Sequence, residues 1–340
     1  MNYFFLFAKI LLGVVLVLAY PLVLQPLAVS LYYKSIQRVW RTRSADTFML
    51  LVVSLALLLL PFLIPRFLPV VRLFYAAMAI ILIQKVVSYL REHGWPWSLV
   101  EPQHGYVDFM HSCTINYSER PEPLEEGEET PSPTYLRWRA ALHYAVVAAA
   151  IVLNVTMGIW RYTPPLAATL AKVLLCILAF HATQDVLNAG LIKKGLKPDI
   201  VLIDLRLFWS RTYELCVLRM NPITYRWLLR YVYLPLGGKN HPLRNILACY
   251  LASGLWHEYA LSIASMKVSG LWCAYFTLNG LIVCVEGLLR NHRERFFERL
   301  GEGTVRYRMV ELAMSTMNFA LNVCVAHLLF LGLDQVIRFH

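Results

Sequence analysis

Long apolar segments separated by polar connections make up almost all of the 340-residue chain. Each segment has about 18 or more mostly apolar residues, enough for an α-helix to cross the roughly 30 Å hydrocarbon layer of a bilayer. They lie at residues 3–32, 47–64, 68–90, 138–161, 164–192, 245–266, 268–289 and 309–333. The pattern predicts an all-α polytopic transmembrane bundle of about eight spans, with residues 1–340 forming a single integral-membrane domain.

Composition and charge agree with a membrane protein and argue against nucleic-acid binding. Hydrophobic residues make up 58% of the chain, more than an ordinary soluble domain carries, and the formal net charge is +11. Twenty-three Lys and Arg residues lie in the connections at 33–46, 91–137, 193–244 and 290–308, against four in the other connections and the C-terminal tail. The positive-inside rule therefore places these four connections in the cytosol and both termini on the opposite side.

One further apolar segment, YRWLLRYVYLPLGG at residues 225–238, is only about 14 residues long and contains Arg226 and Arg230. If this segment crossed the membrane, the basic connection 290–308 would be placed outside the cytosol. Its length and charge therefore predict a re-entrant or interfacial helix on the cytosolic side.

The longest connection, residues 91–137, contains the stretch SERPEPLEEGEETPSPT. A segment so rich in Glu, Pro and Ser cannot form a core, so it is predicted to be a mobile cytosolic loop with solvated acids. Asn116 lies there in a formal glycosylation sequence, but its cytosolic position predicts that it stays unmodified.

Ionisable residues inside the predicted spans are costly in hydrocarbon and are more often functional than surface charges are. Lys9, Arg72 and Arg139 lie near span ends, where long cationic side chains can reach the headgroups. Three histidines are interpreted as hydrogen-bonded packing residues: His143, His181 and His327. His257 differs, because Glu258 follows it directly inside the apolar run LASGLWHEYALSIA.

The neighbours of His257 decide between several chemical roles. A zinc site of the H-E-x-x-H type needs a histidine at the position of Leu261, so no metal is predicted. Ser253 lies one helical turn before His257, but no G-x-S-x-G elbow or acid partner accompanies it. A neutral imidazole in a dry environment can instead take a proton from a hydroxyl group, so His257 is a candidate general base. Glu258 points about 100° away on a helix and is expected to anchor the helix through hydrogen bonds.

Two motifs occur in a fixed order, LFWSRTYELCVLRMNPITY at residues 207–225 and SGLWHE at residues 253–258. The second resembles the histidine motif of the membrane-bound O-acyltransferase family. The first is similar to the Phe-Trp-Gly-Arg-Arg-Trp-Asn/His segment of the wax-synthase-like branch of that family, with Phe208, Trp209 and Arg211 at matching positions.

The chain departs from the pattern of that branch at one place. Where the branch has Trp followed by Asn or His, this chain has Tyr213 and Glu214. This departure either marks a lost or altered activity or leaves the chemistry intact, with Glu214 orienting a neighbour or serving as a second acid/base. A carboxylate at this position still offers a hydrogen-bond acceptor, so we expect retained catalysis, with Glu214 as a second catalytic candidate beside His257.

The resemblance implies an O-acyltransferase that moves an acyl group from acyl-CoA to the hydroxyl of a lipophilic alcohol, namely a fatty alcohol, sterol or terpenoid, and forms an ester. Acyl-CoA is then a co-substrate, and no bound cofactor is implied. The implied partners are the lipid bilayer, acyl-CoA and the alcohol. The implied location is an integral multi-pass one, in the endoplasmic reticulum membrane if the source is eukaryotic.

The same resemblance assigns roles to further residues of the two motifs. The substrate-binding candidates are Phe208, Trp209, Arg211, Ser253, Trp256 and Glu258. Lys239 and Arg244 lie in the glycine-containing stretch LGGKNHPLR and either contact the coenzyme phosphates or belong to an ordinary basic loop.

Two other classes of protein stay open at this point. A lipid transporter or other non-enzymatic lipid-binding bundle predicts inverted repeats with broken helices in matching positions, and the sequence shows neither. A membrane terpene cyclase would use intramembrane acids as proton donors, for which Asp185, Glu214 and Glu258 are candidates, but it does not account for SGLWHE.

Overall fold

The computed structural model describes residues 3–42, 46–92, 103–112, 114–119, 121–125 and 127–338. Within these residues the chain is helical and contains no β-strand. The α-helices are α1 (Tyr3–Ala19), α2 (Gln25–Thr42), α3 (Asp46–Leu59), α4 (Pro69–Glu92), α5 (Gln103–His111), α6 (Pro133–Met157), α7 (Ile159–Tyr162), α8 (Pro165–Lys193), α9 (Tyr213–Met220), α10 (Pro222–Leu228), α11 (Pro242–Ser265), α12 (Leu271–Leu300) and α13 (Val305–Arg338). Single π-helical turns lie at Tyr20–Leu24 and Leu229–Tyr233, and 3₁₀ turns at Leu60–Leu63, Tyr117–Glu119, Leu205–Trp209 and Gly238–Asn240.

Six helices in the described part of the chain are long and apolar enough to cross a membrane. They are Leu11–Ser35, Pro69–Glu92, Pro133–Asn154, Pro165–Lys193, Leu271–Leu300 and Val305–Asp334. The predicted all-α polytopic bundle is confirmed, and the protein is an integral multi-pass membrane protein. Two of the eight predicted spans, 47–64 and 245–266, are not in this set. In the first, the residues whose side chains are described cover only the apolar helix Leu50–Leu63. In the second, the polar pair His257 and Glu258 lowers the mean hydropathy of α11.

The segment predicted to be re-entrant or interfacial, residues 225–238, does not form one continuous helix. It consists of the end of α10, the π-helical turn Leu229–Tyr233 and a turn that leads into Gly238–Asn240. None of these pieces approaches the roughly 20 residues that a membrane-spanning helix needs.

The chain divides into two compact units that are interleaved in sequence. The first unit comprises Met1–Arg120, Gly254–Cys273 and Leu331–His340, and the second comprises Pro121–Ser253 and Ala274–Phe330. In the first unit the core is strongly aromatic. Tyr89, for example, packs edge to face on Tyr106 with ring centroids 4.9 Å apart.

Two buried cations of the first unit are held by backbone carbonyl groups at helix ends. Arg72 is 2% exposed and donates from Nε to the carbonyl oxygen of Ile64 at 2.8 Å, so the expectation that it reaches the headgroups is wrong. Lys85 is equally buried and donates from Nζ to the carbonyl oxygens of Phe109 at 2.8 Å and Ser112 at 2.6 Å. Both cations are thus stabilised by carbonyl groups at helix ends, where backbone oxygens lack intrahelical partners of the i+4 type.

The second unit contains a pair of neighbouring long helices, α6 and α8. Gly158 ends α6 in the left-handed conformation, with φ of 63°. Arg139 of α6 pairs with buried Asp185 of α8, with Nε 2.7 Å from Oδ2 and Nη2 2.6 Å from Oδ1. The expectation that Arg139 reaches the headgroups is therefore wrong, because both oxygens of a buried carboxylate hold it.

The three histidines interpreted as packing residues all lie in the second unit and differ in their partners. His327 is confirmed as hydrogen-bonded, since its Nδ1 lies 2.8 Å from Oγ1 of Thr169. His143 and His181 contact each other with ring centroids 5.2 Å apart. Their Nδ1 atoms are buried and have no hydrogen-bond partner among the described residues, so the hydrogen-bonded interpretation is wrong at these two atoms.

Part of the acidic connection is tied to the segment that follows α8. The backbone N–H of Lys197 donates to the carbonyl oxygen of Glu122 at 2.8 Å, and its Nζ donates to Oε1 of Glu125 at 2.9 Å. This hydrogen bond from Lys197 lowers the pKa of Glu125. The expectation that these acids are only solvated is therefore wrong for Glu125.

The contact between α11 and α12 predicts a matched pair of glycine substitutions. A Cβ added at Gly280 would lie 2.9 Å from Cβ of Tyr250, whereas a Cβ added at Gly287 meets nothing within 4 Å. Gly280→Ala is expected to destabilise the protein by about 1–3 kcal/mol, because the Tyr250 Cβ cannot move without its helix. Gly287→Ala is expected to be neutral or to stabilise by up to about 1 kcal/mol. Thermal unfolding of both variants in detergent checks this, and equal melting temperatures would contradict the close approach.

Candidate active site

The histidine motif belongs to the first unit from Gly254 onward, and Glu258 anchors it. The Glu258 side chain is 6% exposed and accepts hydrogen bonds from the backbone N–H groups of Ser269 at 2.9 Å, Gly270 at 2.7 Å and Trp272 at 2.9 Å. These N–H groups belong to the connection before α12 and to its first turn, where helical N–H groups lack intrahelical partners. The expectation that Glu258 anchors the helix through hydrogen bonds is confirmed.

His257 is half-buried and packs against an aromatic side chain that is itself held in place. Its ring centroid lies 5.6 Å from that of Trp272, with an angle of 55° between the planes. A Cβ added at Gly332 would lie 2.7 Å from Nε1 of Trp272 and 2.8 Å from Cδ2 of Leu261. Only a glycine therefore fits opposite the indole without displacing it, and the indole supports one face of the imidazole.

The other motif lies in the second unit and begins with the 3₁₀ turn Leu205–Trp209. Asp204 caps this turn by accepting the backbone N–H of Arg206 at 2.9 Å. The Phe208 ring lies 4.9 Å from that of Phe319 of α13, whereas Trp209 is 66% exposed. The two substrate-binding candidates therefore point into different surroundings.

Arg211 contacts two side chains of α13. Its Nε donates to Oε1 of Glu311, and its guanidinium lies 5.3 Å from the centroid of the Tyr307 ring. The bond to Glu311 raises the pKa of Arg211, which is charged in any case. The structure therefore gives Arg211 an anchoring contact within the second unit.

Glu214 lies in the first turn of α9 with a tyrosine and an arginine beside its carboxylate. The Tyr225 hydroxyl donates to Oε1 at 3.4 Å, and Nη2 of Arg290 lies 3.6 Å from Oε2. Burial, followed by the charge of Glu214, raises the pKa of Tyr225 to about 12. Tyr225 is therefore a neutral hydrogen-bond donor to Glu214 at neutral pH.

Glu286 of α12 fixes the start of α9, a role that the sequence did not indicate. Its Oε1 accepts the backbone N–H of Tyr213 at 3.0 Å, and its Oε2 accepts that of Glu214 at 2.9 Å. Arg293, two turns later on α12, holds Oε1 of Glu286 at 2.6 Å. The only signal in the sequence is an acid at the end of an apolar run with an arginine seven residues later.

Buried amide side chains also surround this motif, and the sequence analysis missed them. The hydroxyl of Tyr213, which is 2% exposed, donates to Oδ1 of Asn279 at 2.6 Å. Nδ2 of Asn318 donates to the carbonyl oxygen of Ser210 at 3.0 Å, and Asn322 is fully buried. The signal was present as asparagines within apolar spans, where polar groups are costly unless they are paired.

The remaining candidates fall in different places. Lys239 is exposed in the 3₁₀ turn before α11. Arg244 donates from Nε to Oδ1 of Asn245 at 3.0 Å and from Nη2 to the carbonyl oxygen of Leu236, so it holds the loop together. Ser253 is 3% exposed in the second unit, and Trp256 is half-buried in the first.

Residues 135–330 match the sequence profile of MBOAT, the membrane-bound O-acyltransferase family. The match covers more than half of the chain and includes both motifs, so the chain belongs to this family. A region of 89 residues, 25% of this chain, is 29% identical to the membrane-bound O-acyltransferase gup1 of Schizosaccharomyces pombe (strain 972 / ATCC 24843). That region spans 15% of the length of the gup1 protein.

Proposed function

We propose that this protein transfers an acyl group from acyl-CoA to the hydroxyl of a lipophilic alcohol and releases an ester and free coenzyme A. The observation that carries the proposal is the match of residues 135–330 to the O-acyltransferase family, with His257 inside the matched region. Glu258, the neighbour of His257, is fully engaged with backbone N–H groups. The imidazole is thus the group of this motif that can accept a proton from a substrate.

The proposed acyl transfer from thioester to alcohol needs no redox group. His257 takes the proton of the alcohol, and the alcohol oxygen attacks the thioester carbonyl carbon. The carbon–sulfur bond then breaks, the electron pair leaves with the sulfur of coenzyme A, and the protonated His257 gives its proton to that thiolate. An apolar environment favours this ester formation, because it excludes the water that would hydrolyse the thioester.

The proposed branch and acceptor rest on the segment at residues 207–225. Its similarity to the wax-synthase-like branch supports a fatty alcohol, sterol or terpenoid as acceptor, and an endoplasmic reticulum location in a eukaryotic source. Lys239 and Arg244 are both exposed on a basic stretch, which suits contact with the anionic coenzyme.

The carboxylate contacts argue against a terpene cyclase. Such an enzyme needs an acid that is free to donate a proton, whereas each candidate acid here accepts hydrogen bonds or faces a cation. Asp185 is held by Arg139, Glu258 by backbone N–H groups and Glu214 by a tyrosine and an arginine.

Release of free thiol tests the proposed reaction. Purified protein in membranes or nanodiscs is mixed with an acyl-CoA series and, separately, a fatty alcohol, a sterol and a terpenoid alcohol. We expect free thiol and ester to form in equal amounts with at least one alcohol. Thiol release without ester, or no release with any pair, would contradict the proposal.

Glu286 is expected to affect the rate of this reaction by positioning the start of α9. Glu286→Gln keeps one acceptor oxygen but replaces the other with a donor, so one N–H group at the start of α9 loses its partner. We expect roughly a 10-fold loss of turnover, the equivalent of one charge-assisted hydrogen bond. Glu294→Gln is the matched control, because Glu294 is exposed on the same helix. Equal turnover in the two variants would contradict the positioning role.

The proposed orientation needs a test other than native glycosylation. Asn116 is 1% exposed and donates to Glu119 at 3.0 Å, so burial alone would keep it unmodified. Glu302→Asn creates the acceptor sequence Asn-Gly-Thr in the exposed α12–α13 turn. We expect no glycan on this variant, and a glycan on an acceptor tag appended after His340, in a eukaryotic expression host. A glycan in the turn would show that the chain has the opposite orientation in the membrane.

A further inference from the structure

Three metal-ligating side chains converge between α6 and α8. They are His143 on α6 and His181 and Asp185 on α8, and their ligand atoms all lie within 4.8 Å of one another. His181 and Asp185 are four residues apart and therefore share one face of their helix. The cluster lies outside both motifs of the candidate active site.

Each of the two imidazoles has one buried ring nitrogen with unmet hydrogen-bonding capacity. Nδ1 of His143 and Nδ1 of His181 are buried without a hydrogen-bond partner among the described residues. Asp185 Oδ2 lies 3.7 Å from Nδ1 of His181, which is too long for a hydrogen bond. Buried polar atoms are normally paired, so two unpaired nitrogens beside one carboxylate call for a ligand.

We propose that His143, His181 and Asp185 form a binding site for one divalent transition-metal ion of the Zn²⁺ or Co²⁺ type. Two neutral imidazole nitrogens and one carboxylate oxygen suit these ions, whereas Ca²⁺ and Mg²⁺ prefer sets of oxygen ligands. Ligands about 2 Å from a common ion are closer together than 4.8 Å, so the site closes by small side-chain rotations.

Arg139 and the metal ion compete for Asp185. The guanidinium occupies both oxygens of the carboxylate, and its side chain is 34% exposed while that of Asp185 is 2% exposed. Arg139 can therefore move outward when an ion takes its place, which avoids placing a guanidinium and a dication side by side. The ion would then link α6 to α8 in place of the ion pair. This site is independent of the proposed acyl transfer.

Metal titration of the full-length protein tests the site. The protein carries a histidine-free affinity tag, is treated with a chelator and is titrated with Co²⁺, with the visible d–d absorption as readout and Zn²⁺ as competitor. Wild type and His327→Gln are expected to bind one equivalent. His143→Gln and His181→Gln are expected to bind about 100-fold more weakly or worse. Size-exclusion chromatography establishes that each variant is folded.

Arg139→Gln keeps all three ligands and is expected to change the affinity for Co²⁺ in the opposite direction to the histidine variants. Because it removes a competing cation, it is expected to tighten Co²⁺ binding by roughly 10-fold. No binding to wild type, equal binding to wild type and both histidine variants, or weaker binding to Arg139→Gln would each overturn the proposal.

Discussion

Replacing His257 with alanine or glutamine is expected to lower ester formation from acyl-CoA and alcohol by roughly 10²-fold or more. Glutamine can keep a hydrogen bond but cannot take up a proton near neutral pH, so it separates a general base from a packing residue. Ester formation is measured with saturating substrates, and the variants are expected to purify as monodisperse species.

His327→Gln is the matched control for this experiment. His327 has a hydrogen bond to Thr169, which glutamine can approximate, so a measurable fraction of activity is expected to remain. His143→Gln and His181→Gln are expected to retain activity as well, because these residues lie outside both motifs. Near wild-type turnover in His257→Gln would overturn the catalytic assignment and favour a non-enzymatic lipid-binding bundle.

Glu214→Gln is expected to reduce acyl transfer by roughly 10²–10⁴-fold if Glu214 takes part in proton transfer, and by less if it only orients a neighbour. Glu214→Asn is expected to be tolerated, because asparagine is a residue of the wax-synthase-like pattern at this position. Turnover and the amount of folded protein are measured together for each variant.

Tyr225→Phe distinguishes the contribution of the Glu214 carboxylate to turnover from that of the neighbouring tyrosine hydroxyl. This variant removes the hydroxyl that donates to Glu214 at 3.4 Å and leaves the carboxylate and Arg290 in place. Turnover within a few-fold of wild type is expected. Full activity in Glu214→Leu would show that the carboxylate plays no part in the reaction.

Much of the fold could be predicted from the sequence, because the bilayer imposes a single solvent on long segments. Among the described residues, the six helices long and apolar enough to span each overlap a predicted apolar run. The short segment 225–238 could also be recognised, since its length and two arginines conflict with a crossing. The interleaved units could not be predicted, because they depend on which helices pack together, and apolar faces do not specify their partners.

Contacts of the candidate site could be predicted only where the interacting residues are close together in the sequence. Glu258 follows His257 directly, so its different direction on the helix could be inferred and the contacts of its carboxylate with the next connection agree. Glu286 and Arg139 were missed or misjudged because their partners lie 72 and 46 residues away in sequence. Pairing over such distances depends on tertiary structure, which periodicity does not report.

The contacts of Glu258 bear on how the chain enters the membrane during synthesis. An acid inside a span opposes insertion of that span by about 2.5–3.5 kcal/mol when it is at the centre of the bilayer and has no partner. Here the partners of the carboxylate, from Ser269 to Trp272, are synthesised only 11 to 14 residues later. We therefore expect α11 and α12 to enter the bilayer as one helical hairpin, with the carboxylate already hydrogen-bonded before α13 emerges from the ribosome.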